Sequence, residues 1–509
     1  MSSHYPASII KDLIAAGKDD ALALGAPERP PLTYKDLRQL VQRTVESLNA
    51  MGIGRNDRVA IVLPNGPEMA AAFIAIAAGA TTAPLNPAYR GEEFDFYLSD
   101  LNAKALVILD GMDSPAIAVA EARKIPLIIL KPGAKAGDFT LHTAQKAQPA
   151  AKGGYAGEED IALVLHTSGT TSRPKIVPLS QTNVTASAYH IGGTLELKPG
   201  DVCLNIMPLF HIHGLIAATL SSIAAGAGVV CTPGFNALKF FGWVEEVNPS
   251  WYTAVPTMHQ AILTRADRNQ AVIENCRLRL IRSSSSSLPP QVMEALEATF
   301  KVPVIEAYGM TEASHQMASN PLPPRARFAG SVGIAAGPDV GIMSDDGKIL
   351  PSGELGEIVI RGRNVTQGYE SNPDANAKAF TNGWFRTGDQ GVIDEAGYLR
   401  LTGRLKELIN RGGEKISPLE VDTVIMDHPA VAQVVTFAVP HGKLGEDIAA
   451  AVVLREGATC DEKELRAFVA SRVADFKVPR KILFLAEIPK GATGKLQRIG
   501  LAAKLGLSA

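Results

Sequence analysis

The sequence predicts an α/β protein: a large N-terminal domain of doubly wound α/β subdomains with an antiparallel β-barrel-like part, then a small α+β C-terminal domain. Three observations predict it. Up to about Gly330, short apolar runs of strand length alternate with amphipathic helical stretches, which implies a largely parallel sheet covered on both faces. From Gly330 the texture changes to short alternating strands with many Gly turns. After Arg404 a compact unit shows its own mixture of helices and strands. The divisions are residues 1–403, with the α/β body to about 330 and the β-rich part over 330–403, and residues 404–509. A chain of 509 residues is long enough for large cores in several such units.

Taken in order, Thr33 and Asp36 form a capping box ahead of Leu37, Leu40, Val41, Val45 and Leu48. These are spaced at the helical period, with Gly52 beyond the end. Buried strands follow over 58–63, 105–109, 125–130 and 160–165, with a helical stretch over 114–124. Residues 354–365 and 397–403 read as antiparallel strands. In the last unit Ser417 and Glu420 form a capping box with Pro418 at the first helical position, and Asp461 with Glu464 caps another helix. Strands are expected over 431–439, 448–454 and 481–485.

Composition excludes several function classes. Fifty Lys and Arg against 52 Asp and Glu, with no basic run, give no electrostatic footprint for a dedicated nucleic-acid binder. Cys203, Cys231, Cys276 and Cys460 lie far apart without CxxC or Cys/His ligand spacing, which argues against zinc and for a reducing compartment. The N-terminus carries a charge inside its only apolar run, unlike a signal peptide, and residues 214–232 are too weakly apolar to favour a membrane span. A cytoplasmic enzyme acting on small molecules is the expectation.

The segment HTSGTTSRPK, residues 166–175, follows a buried strand. Its five hydroxyls, one Gly, one Arg and one Lys can surround a polyphosphate with donors and positive charge, although GxxxxGK[ST] is absent. The plain alternative is a polar surface turn; the strand before it and Lys175 at its end favour phosphate.

Six segments in order, this loop among them, resemble the signatures of acyl-adenylate-forming (ANL superfamily) enzymes, which include acyl-CoA synthetases, aryl-CoA ligases, luciferases and peptide-synthetase adenylation domains. The others are MPLFHIHG (207–214), RSSSSSL (282–288) with EAYGMTEAS (306–314), WFRTGD (384–389), LTGRLKELINRGGEKISPLEV (401–421) and PKGATGKLQR (489–498). Residues 166–175, 251–260, 281–288, 312–323 and 407–418 are similar to the oxalate-CoA ligase branch in particular. Ser172 and Ile176 stand where the family has glycines, which bears on the mobility of the loop.

The resemblance implies ATP, Mg²⁺ and coenzyme A, with a mobile C-terminal lid. Lys495 is then the adenylation lysine, its ammonium placed beside two anions that must meet, and His211 a second catalytic candidate. For ATP or AMP the implied residues are Thr167, Ser168, Gly169, Thr170, Thr171, Lys175, Ser285, Ser286, Glu306, Ala307, Tyr308, Thr311, Asp389 and Arg404. Glu312 would hold Mg²⁺ against phosphate. Asp389 can accept both ribose hydroxyls with its two oxygens, and Tyr308 offers a ring face for adenine. Lys406 matches the hinge; Gly412, Gly413 and Lys415 would line the path of CoA. For the acid, His211, His213, Ser285, Gly309 and His315 offer imidazoles and hydroxyls suited to a small, polar or doubly acidic substrate. Three readings remain open: an acid-CoA ligase, for oxalate or for another short-chain, fatty or 4-coumarate-like acid; an adenylating enzyme that does not use CoA; and a nucleotide-binding regulator without turnover.

Overall fold

The computed structural model describes residues 5–145, 147–167, 174–489 and 496–507. The first long helix, Tyr34–Ala50, begins as its capping box requires: Thr33 Oγ1 accepts from the Asp36 amide at 3.2 Å, and an Asp36 carboxylate oxygen accepts from the Thr33 amide at 3.1 Å. Leu37, Leu40, Val41, Val45 and Leu48 are all buried by this helix, so the apolar stripe is its core face.

A seven-stranded sheet runs in the order Phe139–His142, Leu127–Pro132, Ala105–Leu109, Arg58–Val62, Thr81–Pro84, Ile161–His166, Ile176–Ser180. Its five inner strands are parallel and both edges antiparallel. A nine-stranded sheet follows the same plan: Val304–Met310, Leu280–Ser283, Trp251–Ala254, Val202–Asn205, Gly228–Cys231 and Leu22–Gly25 are parallel, flanked by antiparallel Leu32–Thr33 on one side and His315–Ser319 then Ile334–Ala335 on the other. The inner strands are buried because both faces are covered, and apolar residues dominate them, with Asn205, Thr253, Arg282 and Glu306 among the buried polar exceptions.

The antiparallel part starts at Asp339–Met343. It pairs with Gly356–Arg361, which pairs with the long strand Trp384–Ile393, flanked in turn by Phe380–Thr381 and Leu399–Arg404. Beyond Arg404 a separate core of Ile409, Ile416, Val421, Ile425, Val431, Ile448, Val452, Leu465 and Val469 forms under a five-stranded sheet. Its helices are Pro418–Met426 and Glu462–Ala470. Asp461 caps the latter by accepting from the Glu464 amide at 2.8 Å. The expected box at Ser417 is only half made. Ser417 Oγ accepts from the Glu420 amide at 3.3 Å, but the Glu420 carboxylate takes Lys477 Nζ at 2.7 and 2.9 Å, a stronger charged partner than a backbone N–H.

Among the described residues no helix is long and apolar enough to cross a membrane.

Candidate active site

The strands on either side of the phosphate-loop candidate, Ile161–His166 and Ile176–Ser180, pair antiparallel, so the chain after it continues as a strand and not as a helix. Its neck is closed by the Thr167 amide donating to the Lys175 carbonyl at 3.0 Å and the Lys175 amide to Thr167 Oγ1 at 3.4 Å. Ser168, Gly169, Thr170, Thr171 and Lys495 lie outside the described residues.

Asp389 and Arg404 meet because they are directly opposed in the register of Trp384–Ile393 with Leu399–Arg404. Arg404 Nε lies 3.0 Å from one Asp389 oxygen, and the Tyr308 hydroxyl donates to the other at 2.5 Å. Burial pushes the Asp389 carboxyl up from its ordinary range, opposed by Arg404 and Tyr308. The Tyr308 ring is itself buried, so the structure uses its hydroxyl to hold Asp389.

Glu312 sits in the short turn Thr311–Ala313 that follows strand Val304–Met310, with Thr311 partly exposed beside it. The Tyr369 hydroxyl donates to Glu312 at 2.8 Å, and Lys175 Nζ stands 4.3 Å from the centre of the Tyr369 ring. Burial raises the Glu312 carboxyl; burial and then Lys406 lower Lys175. The loop neck, the 311–313 turn and the hinge position thus bring their charges to one place. Tyr369 was invisible to sequence reasoning, since no spacing ties it to a residue 57 positions away. One buried carboxylate suits a magnesium ion that arrives with phosphate oxygens. Among the described residues no cluster of three ligating groups includes Glu312, so a cage made by protein alone is absent there.

The one such cluster among the described residues is His428, Cys460 and Glu464, whose ligating atoms lie within 4.8 Å of one another although Cys460 is 32 residues from His428. The Ala430 amide donates to His428 Nδ1 at 3.3 Å, which leaves the ring proton on Nε2. His428 therefore faces Cys460 and Glu464 as a donor.

The acid-side candidates gather around His213, the first residue of a π-helix, His213–Leu220. Such wide turns recur at functional sites. A Cβ on Gly214 would lie 2.4 Å from the Pro208 carbonyl oxygen, so this entry needs glycine. The His213 ring is 5.0 Å from that of His315, and its Nδ1 is 3.0 Å from Ser285 Oγ. Gly309 serves this arrangement through its backbone. It pairs with Gln316, and a Cβ there would meet the His315 carbonyl oxygen at 1.8 Å. His211 is partly exposed with its ring 5.3 Å from Phe210.

The serine run divides by burial. Ser283 and Ser284 are buried, Ser284 donating to the Ala307 carbonyl at 2.8 Å; Ser285 is half-buried; Ser286 and Ser287 are exposed. Glu306 lies beneath this turn and accepts from the Leu288 amide at 2.9 Å. Burial raises its carboxyl from 4.5 to about 8. The folded protein therefore keeps a proton that the unfolded chain releases, and this contribution to stability is complete below 4.5 and lost as pH rises through about 8. Glu306→Gln, which mimics the protonated form, is expected to flatten the fall in melting temperature between pH 5 and 8.5; an unchanged pH profile would contradict this.

In the hinge region Lys406 is exposed in a turn where the Glu407 and Leu408 amides donate to the Arg404 carbonyl at 2.9 and 3.1 Å. Gly412 and Gly413, with φ of 64° and 100°, make a two-residue hairpin between Arg411 and Glu414, with Lys415 exposed on the returning strand. The left-handed conformation at both positions is what selects glycine here.

The family model described as AMP-binding enzyme matches residues 13–370, and that described as AMP-binding enzyme C-terminal domain matches residues 420–495. An oxalate–CoA ligase of Arabidopsis thaliana is 45% identical over 486 residues, 94% of each chain. An oxalate–CoA ligase of Saccharomyces cerevisiae is 41% identical over 513 residues, again 94% of each. The crystal structure of ATP-bound MatB from Rhodopseudomonas palustris superposes with a TM-score of 0.86 at 29% identity, covering 96% of this chain and 97% of that one. The two matched regions together span most of the chain, and the chain belongs to the AMP-binding enzyme family.

Proposed function

We propose that the protein is an ATP-dependent acid–CoA ligase acting on oxalate through an acyl-adenylate. The observation that carries the reading is the adjacency of two chemistries. The Asp389–Arg404–Tyr308 and Glu312–Tyr369–Lys175 groups suit a nucleotide, and beside them, around strand Val304–Met310 and its return, lie the imidazoles and hydroxyls of His213, Ser285 and His315. The identity to two oxalate–CoA ligases supports the same acid.

A carboxylate oxygen attacks the α-phosphorus of ATP, the bond to pyrophosphate breaks, and the acyl-adenylate forms; the CoA thiol then attacks the acyl carbon and AMP leaves. Asp389 accepts the ribose hydroxyls on lone pairs left free by Tyr308 and Arg404, and Ser286 and Ala307 border the adenine. Thr167, Thr311 and Lys175 donate to phosphates, together with the loop between Thr167 and Lys175. Glu312 is the residue that holds Mg²⁺, which neutralises phosphate charge when bound. Residues 1–403 bind nucleotide and acid; residues 404–509 are the lid, turning at Lys406, with Gly412, Gly413 and Lys415 toward CoA. The four cysteines are free thiols, which supports a reducing compartment such as the cytoplasm.

A screen of oxalate, malonate, acetate, hexanoate and 4-coumarate, read as AMP release with CoA present, tests the assignment. Oxalate should give the highest kcat/KM; preference for hexanoate or 4-coumarate would overturn the polar-pocket argument.

A further inference from the structure

Arg282 is fully buried, and among the described residues no carboxylate lies within ion-pair distance of it. A buried cation without a counter-ion is costly and is retained where something else supplies the charge. Its Nη2 donates to Gln316 Oε1 at 3.3 Å, and Gln316 is held by its amide donating to Thr194 Oγ1 and the Ala336 carbonyl, each at 3.1 Å. Its Nη1 points at His213 Nε2, 3.5 Å away, and Thr253 Oγ1 lies 2.6 Å from the same nitrogen. A guanidinium has no lone pair to offer, so a proton on His213 Nε2 would face a like-charged donor; Nε2 is the acceptor and the ring proton resides on Nδ1. Nδ1–H then donates to Ser285 Oγ at 3.0 Å. An oxygen that accepts from the ring has its own hydroxyl proton left to give.

Ser285 also has φ of +75°, the left-handed region that favours glycine and is unfavourable for a residue with a Cβ. A serine held in that conformation beside a histidine of fixed tautomer points to a use for its hydroxyl.

We propose that Arg282 and Thr253 are positioning residues that fix His213 with its proton on Nδ1, so that Ser285 donates to the second carboxylate of a dianionic acid above the uncompensated charge of Arg282. This rests on the acid–CoA ligase reading. Burial lowers Arg282 only to about 9, so it is charged at neutral pH. A monocarboxylate gains nothing from the arrangement, and selectivity for dianions follows.

The test measures KM and kcat for adenylate formation with oxalate, malonate and acetate, and KM for ATP, in the wild type, Ser285→Gly, Thr253→Val, Thr253→Ser and Arg282→Gln. Failure of the wild type to turn over any dicarboxylate overturns the functional reading, and the relay with it. With turnover, Ser285→Gly should relieve the backbone strain, keep or raise the melting temperature, and raise KM for oxalate ~10-fold or more while changing KM for acetate much less. Thr253→Val should move in the same direction and Thr253→Ser restore the wild-type value. Arg282→Gln should show the largest dicarboxylate-selective loss; if it does not fold, the Thr253 and Ser285 variants decide. An unchanged KM for oxalate in Ser285→Gly, an equal loss for oxalate and acetate, or Thr253→Ser no better than Thr253→Val would overturn the relay.

Discussion

Lys495→Ala is expected to lower adenylate formation by at least ~10²-fold, the usual effect of removing one preorganised donor from a charge-developing transition state. Two anions must approach each other in that step, and an ammonium on the C-terminal segment is the group nominated to stand between them. Three residues on, Arg498 is bound to buried Asp422 at 2.6 Å and lies 3.4 Å from Glu407 in the hinge turn. Arg498 is thereby tied to the C-terminal core. Thioester formation from supplied acyl-adenylate should survive, since the proposed two-step scheme assigns the lysine to the first half-reaction alone. Equal loss of both half-reactions, followed separately as pyrophosphate release and thioester formation, would reject this division.

Lys406→Pro should give the reverse signature. The turn's hydrogen bonds are donated by Leu405 to Gly388, at 3.0 Å, and by Glu407 and Leu408 to Arg404, so proline at 406 removes none of them. It fixes φ at 406 and restricts Leu405, where a rotating lid needs freedom. Adenylation should stay within ~3-fold of wild type while thioester formation falls ~10-fold or more, as expected when a conformational step is blocked. Unchanged overall turnover would place the hinge elsewhere.

The two variants separate what the sequence could and could not tell. Local chemistry was legible. The Thr33 and Asp461 caps lie where their side chains predict, because a cap depends on neighbours three residues away. The alternation of buried strands and helices carried the fold class for the same reason. Pairing across long separations was not legible. Nothing local says that strands Ile161–His166 and Ile176–Ser180 pair antiparallel, or that Gly309 must lack a Cβ because His315 returns against it. The pairings of Tyr369, Thr253 and Arg282 were not legible, although the last two lie in segments the sequence singles out, because each partner is far along the chain. The π-helix that aims His213 has no periodicity of its own to betray it in a Gly- and Ala-rich stretch. The half-made box at Ser417 errs the other way: its motif is present, but Lys477, 57 residues on, claims the glutamate.

The central claim is an acid-dependent adenylation followed by transfer to CoA at one site. Its most direct measurement is ATP–pyrophosphate exchange with the wild-type protein, ATP, Mg²⁺ and oxalate, first without CoA and then with CoA added. The account predicts exchange that depends on oxalate and, on adding CoA, one oxalyl thioester for each AMP released. Absence of oxalate-dependent exchange would contradict the adenylation assignment, and exchange without thioester would make the protein an adenylating enzyme that does not use CoA.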